Sequence, residues 1–554
     1  MIDFFLSSII LLLTLSTCYF LGRVTFRLFG LSMKQITFYE FYWTGLSSLT
    51  FTLMFIHLFL PIDIIVSLFI YSTIIPLTVY FFVKNHKKFN FSFKVIAILI
   101  VLLIWLIAKT YVHPYTHDST LYHFPAIHWI NQSEIVPGLG NLHGRLAFNN
   151  SSFLIIAFLN FYPFFNYGYT IFNLSLLIAS FITFYSIYKE EETGSPFKIY
   201  LLGLASILFY HILNTNGLNS PSPDLTILIL QLVSFTFFIK ILTEKNEVNL
   251  VLAVSLFMVS SLMVAVKLSS LILAAGMCFI VLHRLFQKRN YIPFFCLLSI
   301  PFLYFILFSI RGYMLSGAPL YPSSLGYISL EWSVPIHTVR EEAKWVYSWA
   351  RQPQEHYSNV LNSWNWLNTW IPKTIKSSPV NCIYPLFFSI LFIIIKVVIN
   401  PQKFIKNDII FYIPIIGSIL FWFSTAPDIR FANGLFILVF SLSAYLLCTE
   451  LKQKPKVSFF VIFIVGTPLF IYPVLRFDRF ARVNFDGFPT IETTFSHEER
   501  TLSGISISIQ NEADNKRCFY SPLLSTPVNR FNPYLEALAP NDPIKGFKIR
   551  PNEN

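Results

Sequence analysis

Apolar runs of about 17–22 residues, the length that carries a helix across roughly 30 Å of hydrocarbon, recur from residue 4 to about residue 474. Fourteen can be counted, centred near residues 12, 50, 72, 102, 178, 206, 233, 257, 276, 300, 388, 416, 439 and 466. The pair between Leu250 and Leu282 is separated only by Lys267-Leu-Ser-Ser. A backbone immersed in lipid must satisfy its own hydrogen bonds, so this pattern folds as a helical bundle. Composition agrees: 55% of residues are hydrophobic and only 12% charged, with a mean hydropathy of +0.60, which no water-soluble domain of this size shows. The expected architecture is an all-α polytopic membrane protein of about fourteen transmembrane helices over 1–477, followed by a small tail over 478–554.

The first run has no basic residue ahead of it (Met-Ile-Asp) while Arg23 and Arg27 follow it, the reverse of a cleavable secretory leader. Counting Lys and Arg then starts the chain outside. Every second connection is basic: Arg23/Arg27/Lys34, Lys84/Lys87/Lys88/Lys94, Lys240/Lys245, Arg284/Lys288/Arg289, Lys403/Lys406 and Lys452/Lys454/Lys456. Lys189-Glu-Glu-Glu is mixed, but acids weigh little in this rule. Fourteen crossings with both termini extracytoplasmic satisfy all of these together. The net charge of +12 is thereby assigned to topology, and nucleic acid is not an expected partner. Of six cysteines only Cys382 and Cys518 fall outside, which leaves room for one disulfide. No repeat period, Walker loop, zinc motif or G-x-S-x-G is present.

Four outer segments carry the polar residues. Between Tyr111 and Asn150 the chain gathers Asp118, Tyr122, His123, His128, Glu134, His143 and Arg145. Within this loop (109–167), 119–130 and 151–161 read as short amphipathic helices lying on the membrane, with Pro114, Pro137-Gly138 and Pro163 as breakers. The turn Asn214 to Asp224 runs straight into a span, with Pro223 and Asp224 fitting a helix start. A Trp-rich segment over 311–378 suits the headgroup level. The fourth is the charged turn Ala426-Pro-Asp-Ile-Arg-Phe-Ala-Asn-Gly434. In the tail, Ile505-Ser-Ile-Ser-Ile509 alternates as a strand does, and the tail is expected to pack over the outer face.

Each charged residue here has two readings. Asp118 can be a general base in a partly apolar cleft, or simply the N-cap of the helix that follows it. His123 can bond that carboxylate or a phosphate, or be structural. Asp224 can cap its own span. Lys267, Arg311 and Arg430 lie outside, against the charge bias; each can snorkel or pair locally, and together they can hold phosphate oxygens. Acids and isolated cations on one leaflet form the chemical set needed to activate a hydroxyl and retain a phosphate leaving group.

The stretch Asp118-Ser-Thr-Leu-Tyr122-His123-Phe-Pro125-Ala-Ile-His-Trp129 resembles the first outer loop of bacterial GT-C glycosyltransferase-like membrane proteins. Leu142-His-Gly-Arg145-Leu-Ala-Phe-Asn149, Ser220-Pro-Ser-Pro-Asp224, Lys267-Leu-Ser269, Leu315-Ser-Gly-Ala-Pro-Leu-Tyr-Pro322 and Ala426-Pro-Asp-Ile-Arg430-Phe are similar to an uncharacterised bacterial subgroup of that kind. The resemblance implies transfer of a sugar from a polyprenyl-phosphate-linked donor to a glycan, lipid or protein acceptor, on the extracytoplasmic side of a bacterial inner membrane. It makes Asp118 and His123 the catalytic candidates, and Arg145, Asp224, Lys267, Arg311 and Arg430 the substrate- and phosphate-binding ones. The acidic loop here follows the fourth run rather than the first, and Thr116 stands where many relatives of that class carry a second acid. The lone acid leaves a requirement for a divalent metal open.

Two other functions use similar parts. A transporter or flippase of lipid-linked saccharides needs ionisable groups at mid-span and two related halves, and few such groups and no internal symmetry are evident. A polymerase or ligase would share the outer cations but take a diphosphate-linked oligosaccharide.

Overall fold

The computed structural model describes residues 2–33, 36–84, 93–112, 117–214, 217–244, 247–451, 460–467, 487–488, 497–502, 505–510, 525–527 and 532–550. Lys34, Lys87, Lys88, Lys245, Lys452, Lys454, Lys456, Thr116, Cys518 and the 477/478 boundary lie outside the described residues. The chain is an integral membrane protein built almost wholly of helices. In order they are α1 (Ile2–Leu28), α2 (Phe38–Ile56), α3 (Ile64–Lys84), α4 (Phe93–Thr110), α5 (Phe124–Gln132), α6 (Leu139–Leu142) and α7 (Ser152–Leu159). There follow α8 (Gly168–Glu190), α9 (Phe197–Asn214), α10 (Pro223–Thr243), α11 (Leu250–Val266), α12 (Leu271–Gln287) and α13 (Tyr291–Ser316). The last set is α14 (Ile336–Arg351), α15 (Tyr357–Leu361), α16 (Leu367–Ser377), α17 (Tyr384–Ile399), α18 (Pro401–Lys403), α19 (Ile409–Thr425) and α20 (Ile429–Glu450).

Among the described residues, eight helical stretches are long and apolar enough to cross a membrane, and four shorter apolar helices join them. Burial sorts the long ones. The apolar windows of α10 and α20 are 89% buried, whereas those of α1, α12, α13, α17 and α19 are 28–39% buried. The first two are the interior of the bundle, and the others turn most of their Phe, Ile and Leu side chains to lipid. Glycine permits the tightest crossing: a Cβ on Gly45 would meet the Cys18 carbonyl oxygen at 1.6 Å, and one on Gly22 the Phe41 carbonyl oxygen at 2.0 Å. The backbones of α1 and α2 therefore touch, as small residues allow between membrane helices.

At the end of the bundle opposite the polar loop, Lys396 is almost wholly buried and ties three elements together. Its ammonium lies 2.7 Å from Glu450, 3.1 Å from Asp408 and 3.0 Å from the Leu446 carbonyl.

At the other end, the loop between α4 and α8 is folded into the protein. All eight residues of α7 are buried, and seven of the nine in α5, so neither helix lies on a membrane surface as the sequence pattern suggested. The reason is in α7 itself: Ser-Phe-Leu-Ile-Ile-Ala-Phe-Leu is apolar on every side, and such a helix is enclosed rather than interfacial. Backbone bonds seal it in. Ile62 N donates to Ile130 O, Ile135 N to His57 O, Gly138 N to Met314 O and Ser151 N to Ala265 O, at 2.9, 2.9, 2.7 and 3.1 Å.

The tail carries more strand than the one alternating stretch foretold. Strands β1 (His497–Leu502) and β2 (Ile505–Gln510) pair antiparallel, β3 (Ser525–Pro527) joins β2 in parallel, and β4 (Leu535–Ala539) and β5 (Asp542–Ile549) form a separate antiparallel pair. Ile507, Ile509, Leu535 and Phe547 share a core with Trp129, Val136, Leu139 and Leu146. Phe547 N donates to Pro137 O at 2.9 Å, and Asn141 Nδ2 donates to Phe547 O at 3.1 Å. The tail is thus packed against the polar loop.

Candidate functional site: a charged cleft at one end of the bundle

A π-helical turn, Ser119–His123, leads from the polar loop into α5. Asp118 stands at its start with helical backbone angles and makes no capping bond. Its carboxylate instead meets Arg430 Nη1 at 3.3 Å, across 312 residues of sequence. Arg430 lies in the first turn of α20, whose N-cap is Asp428: Asp428 Oδ1 accepts from Arg430 N at 3.1 Å, and Asp428 Oδ2 faces Arg430 Nε at 3.2 Å. One guanidinium therefore lies between two carboxylates.

Asp224 is equally not a cap, since Ser222 caps α10 by accepting from Asp224 N. The Asp224 carboxylate accepts from Lys267 Nζ at 2.7 Å. Lys267 ends α11 in an extended backbone conformation, which turns its side chain across the mouth of α10. Its ammonium sits 3.7 Å above the Phe431 ring, and the Arg430 guanidinium lies 4.9 Å from the same ring. An aromatic face attracts a cation, so Phe431 fixes the two positive groups side by side. The segment before α10 is held from α8, where Asn173 Nδ2 donates to the carbonyls of Gly217, Leu218 and Ser220. Ser220 Oγ lies 2.8 Å from Ser119 Oγ, which joins this segment to the π-helical turn.

His123 is buried beneath Asp118, its Nδ1 3.3 Å from Ser119 Oγ and its ring against Tyr122 and Phe153. Burial lowers its pKa to about 4, against the opposing pull of Asp118 and Asp224, so the ring is neutral at pH 7. For Asp118 the balance goes the other way. Burial pushes the carboxyl up, but Arg430, His123 and Arg145 together hold it below the ordinary carboxylate value. Arg145 lies 5.8 Å from the Tyr122 ring and pairs with Glu342 of α14 at 2.6 Å. Burial of Arg145 would weaken its hold on its proton; Glu342, Tyr122, Asp118 and Tyr321 together outweigh that and raise the pKa.

Asp118, His123, Arg145, Asp224, Lys267 and Arg430 thus come together, and Arg311 does not. It is 3% exposed, with Nη1 2.9 Å from His57 Nδ1 and Nε donating to Asn149 Oδ1 at 3.2 Å. A side chain near the C-terminal end of α13 looked available for phosphate, but folding of the 119–149 loop against α2 and α13 encloses it. Of the tryptophans in the outer segment, Trp366 is buried under Arg351, whereas Trp349 and Trp364 are exposed. Cys382 is a buried free thiol. Among the described residues no three His, Cys, Asp or Glu side chains gather as metal ligands.

A cleft of about 340 Å3 opens beside this cluster. It is lined by Asp224, Asp428 and Arg430, by the apolar Leu225 and Leu228 of α10, and by Trp370, Arg351 and Lys373. Glu342, Arg351, Lys373 and Phe431 were not singled out from sequence. Phe431 and Asp428 stand inside the charged turn 426–434, so that turn was the available signal; α14 and α16 carry no motif, and only their amphipathic pattern marks them. Carboxylates beside cations, a neutral imidazole and an apolar flank can accept a hydroxyl proton and retain an oxyanion on an apolar carrier.

A helical bundle with a charged cleft at one end defines the class: a polytopic membrane protein with a polar site at the ends of its spans. Residues 1–437 match the family described as "Domain of unknown function (DUF8201)", and the chain belongs to that family. All the residues of the charged cluster lie inside the match. No curated protein and no solved structure matches the chain.

Proposed function

We propose that the chain is a GT-C-type glycosyltransferase that moves a sugar from a polyprenyl-phosphate carrier to an acceptor during cell-envelope glycan assembly. It crosses the bacterial inner membrane fourteen times, with the cleft and both termini extracytoplasmic. The observation that carries the reading is the convergence of Asp118, Arg430, Asp224 and Lys267, from four separate elements, as two ion pairs whose Arg430 and Asp224 line one cleft together with Leu225 and Leu228. In the reaction the acceptor hydroxyl attacks the anomeric carbon, the bond from that carbon to the phosphate oxygen breaks, and its electrons stay on the phosphate. Asp118 takes the hydroxyl proton, and Lys267 and Arg430 stabilise the charge developing on the leaving phosphate. Leu225 and Leu228 offer the first isoprene units an apolar path.

Mass spectrometry of membrane lipids and envelope glycans, with and without the protein, tests this. Accumulation of one polyprenyl-phosphate sugar together with loss of one glycan substituent is expected. Unchanged lipid pools overturn the reading, and movement of a labelled lipid across vesicles without any bond change replaces it with transport.

A further inference from the structure

The two ion pairs at the cleft differ in kind. Lys267 and Asp224 meet at 2.7 Å, a full charge-assisted hydrogen bond. Arg430 stands 3.3 Å from Asp118 and 3.2 Å from Asp428, longer than such bonds prefer on both sides. Its position is also different. Arg430 and Asp428 line the cleft, while Asp118 and His123 are not among its lining residues, so the guanidinium is the group that reaches both the cleft and the acid. Arg430 is 44% exposed and Asp118 28% exposed, so the guanidinium is the more open of the two to an arriving ligand. Asp428 is fixed in place by capping α20 through its other oxygen. Among the described residues neither contact of Arg430 uses Nη2.

We propose that Arg430 is an exchangeable shield on Asp118: tethered through Nε to Asp428, it gives up the Asp118 carboxylate for an oxyanion arriving in the cleft, and so exposes Asp118 to the acceptor only when the donor is bound. The identity of that oxyanion as a carrier phosphate rests on the proposed function; the shield itself does not. Asp428 is on this account a positioning residue, acting through Arg430.

The electrostatic consequence has a definite sign. Among the described residues, the charged and titratable groups facing Asp118 are Arg430 from α20, His123 and Tyr122 from the π-helical turn and Arg145 from the 3₁₀ turn Gly144–Ala147. Burial acts to raise the Asp118 pKa, with Arg430 foremost in opposing it. Withdrawing the guanidinium therefore lets the carboxyl rise, and a more basic carboxylate is a better proton acceptor. Removing an opposite charge at this range moves a carboxyl by about 1–3 pH units.

The test is esterification of protonated Asp118 by a diazo reagent in the full-length protein in nanodiscs, followed against pH by peptide mass spectrometry. Farnesyl phosphate is the probe and farnesol the uncharged control. In the wild type, farnesyl phosphate raises the labelling midpoint by about one pH unit or more, and farnesol does not. In Arg430→Gln the midpoint is already raised and farnesyl phosphate adds nothing. An unchanged midpoint in Arg430→Gln overturns the shield. An unchanged midpoint in the wild type, with labelled farnesyl phosphate retained by the protein, overturns the exchange. Failure of farnesyl phosphate to bind above farnesol overturns release by a carrier phosphate and counts against the proposed function, while the Arg430→Gln comparison still decides whether the guanidinium holds the acid.

Discussion

Replacing Asp118 with Asn removes one charge and almost no volume, and the structure sets how stability and activity should respond. The carboxylate meets Arg430 at 3.3 Å, and the two side chains are 28% and 44% exposed. A pair so open to solvent is worth about 0.2–1 kcal/mol. Arg430 also keeps Asp428 as a partner, and no capping bond is lost because Asp118 makes none. Thermal unfolding of the purified Asp118→Asn protein should therefore stay within about 1 kcal/mol of the wild type. Activity should not. A positioned general base contributes about 10²–10⁴-fold, which corresponds to about 2.7–5.5 kcal/mol of barrier. Single-turnover transfer from a reconstituted lipid-linked sugar, with the unfolding midpoint measured on the same preparation, separates the two effects. A folded Asp118→Asn protein that keeps more than about a tenth of the wild-type rate would refute Asp118 as the base. A protein that fails to fold would refute the local, solvent-screened account of the ion pair.

Arg311→Met should behave in the opposite way, lowering the unfolding midpoint because His57 and Asn149 lose their bonds in a buried site, at about 1–3 kcal/mol for each group left unpaired; a neutral effect on stability with lost transfer would return Arg311 to the substrate. Lys396→Met strands Asp408 and should destabilise by about 3 kcal/mol, at the low end for a broken buried pair because Lys403 still holds Glu450. The double variant Lys396→Met with Asp408→Asn should recover most of that loss, and purely additive effects would contradict the coupling. Acid should weaken the fold through His123 and His128, both lowered by burial from 6.5 to about 4. The unfolded chain takes up these protons first, so stability is full above pH 6.5 and declines as pH falls towards 4, by about 3 kcal/mol for each ring. His57, also lowered by burial, adds to the same slope, so His123→Gln should remove about a third of it in a pH series of unfolding midpoints, and an unaltered slope would show that the buried ring is not a titrating group.

The helices were readable because hydropathy reports a property of each segment by itself. A run of twenty apolar residues is a helix in lipid whatever surrounds it, and α10, α13 and α20 fall where the runs do. Which charges pair was not readable, because pairing is set by packing between segments far apart in sequence. Asp118 and Asp224 have the composition of N-caps, and both lie at helix starts; only the approach of α20 and of the end of α11 turns them towards Arg430 and Lys267. Arg311 shows the reverse. Its sequence neighbourhood matches that of Lys267 and Arg430, a lone cation at the end of a span, yet His57 and Asn149 close over it. The burial of α7 is masked in the sequence for a related reason: breakers on both flanks and a polar loop around it are the marks of a surface helix, although its own residues offer no polar face. Glu342, which neutralises Arg145, sits among other charged residues in an amphipathic helix, where nothing local distinguishes it.

The hairpin β4–β5 reaches back to Pro137 and Asn141, and the bond from Asn141 to Phe547 spans 406 residues. The apolar cluster that joins the polar loop to the strands thus stays incomplete until residue 547 has left the ribosome. A nascent chain that has already placed Asp118, Asp224 and Lys267 leaves Trp129, Val136 and Leu139 without the strand residues Leu535 and Phe547 to pack against. Trimming that distal hairpin should therefore loosen the packing of α5 and α6, the helices that follow Asp118, without touching a charged side chain of the cluster.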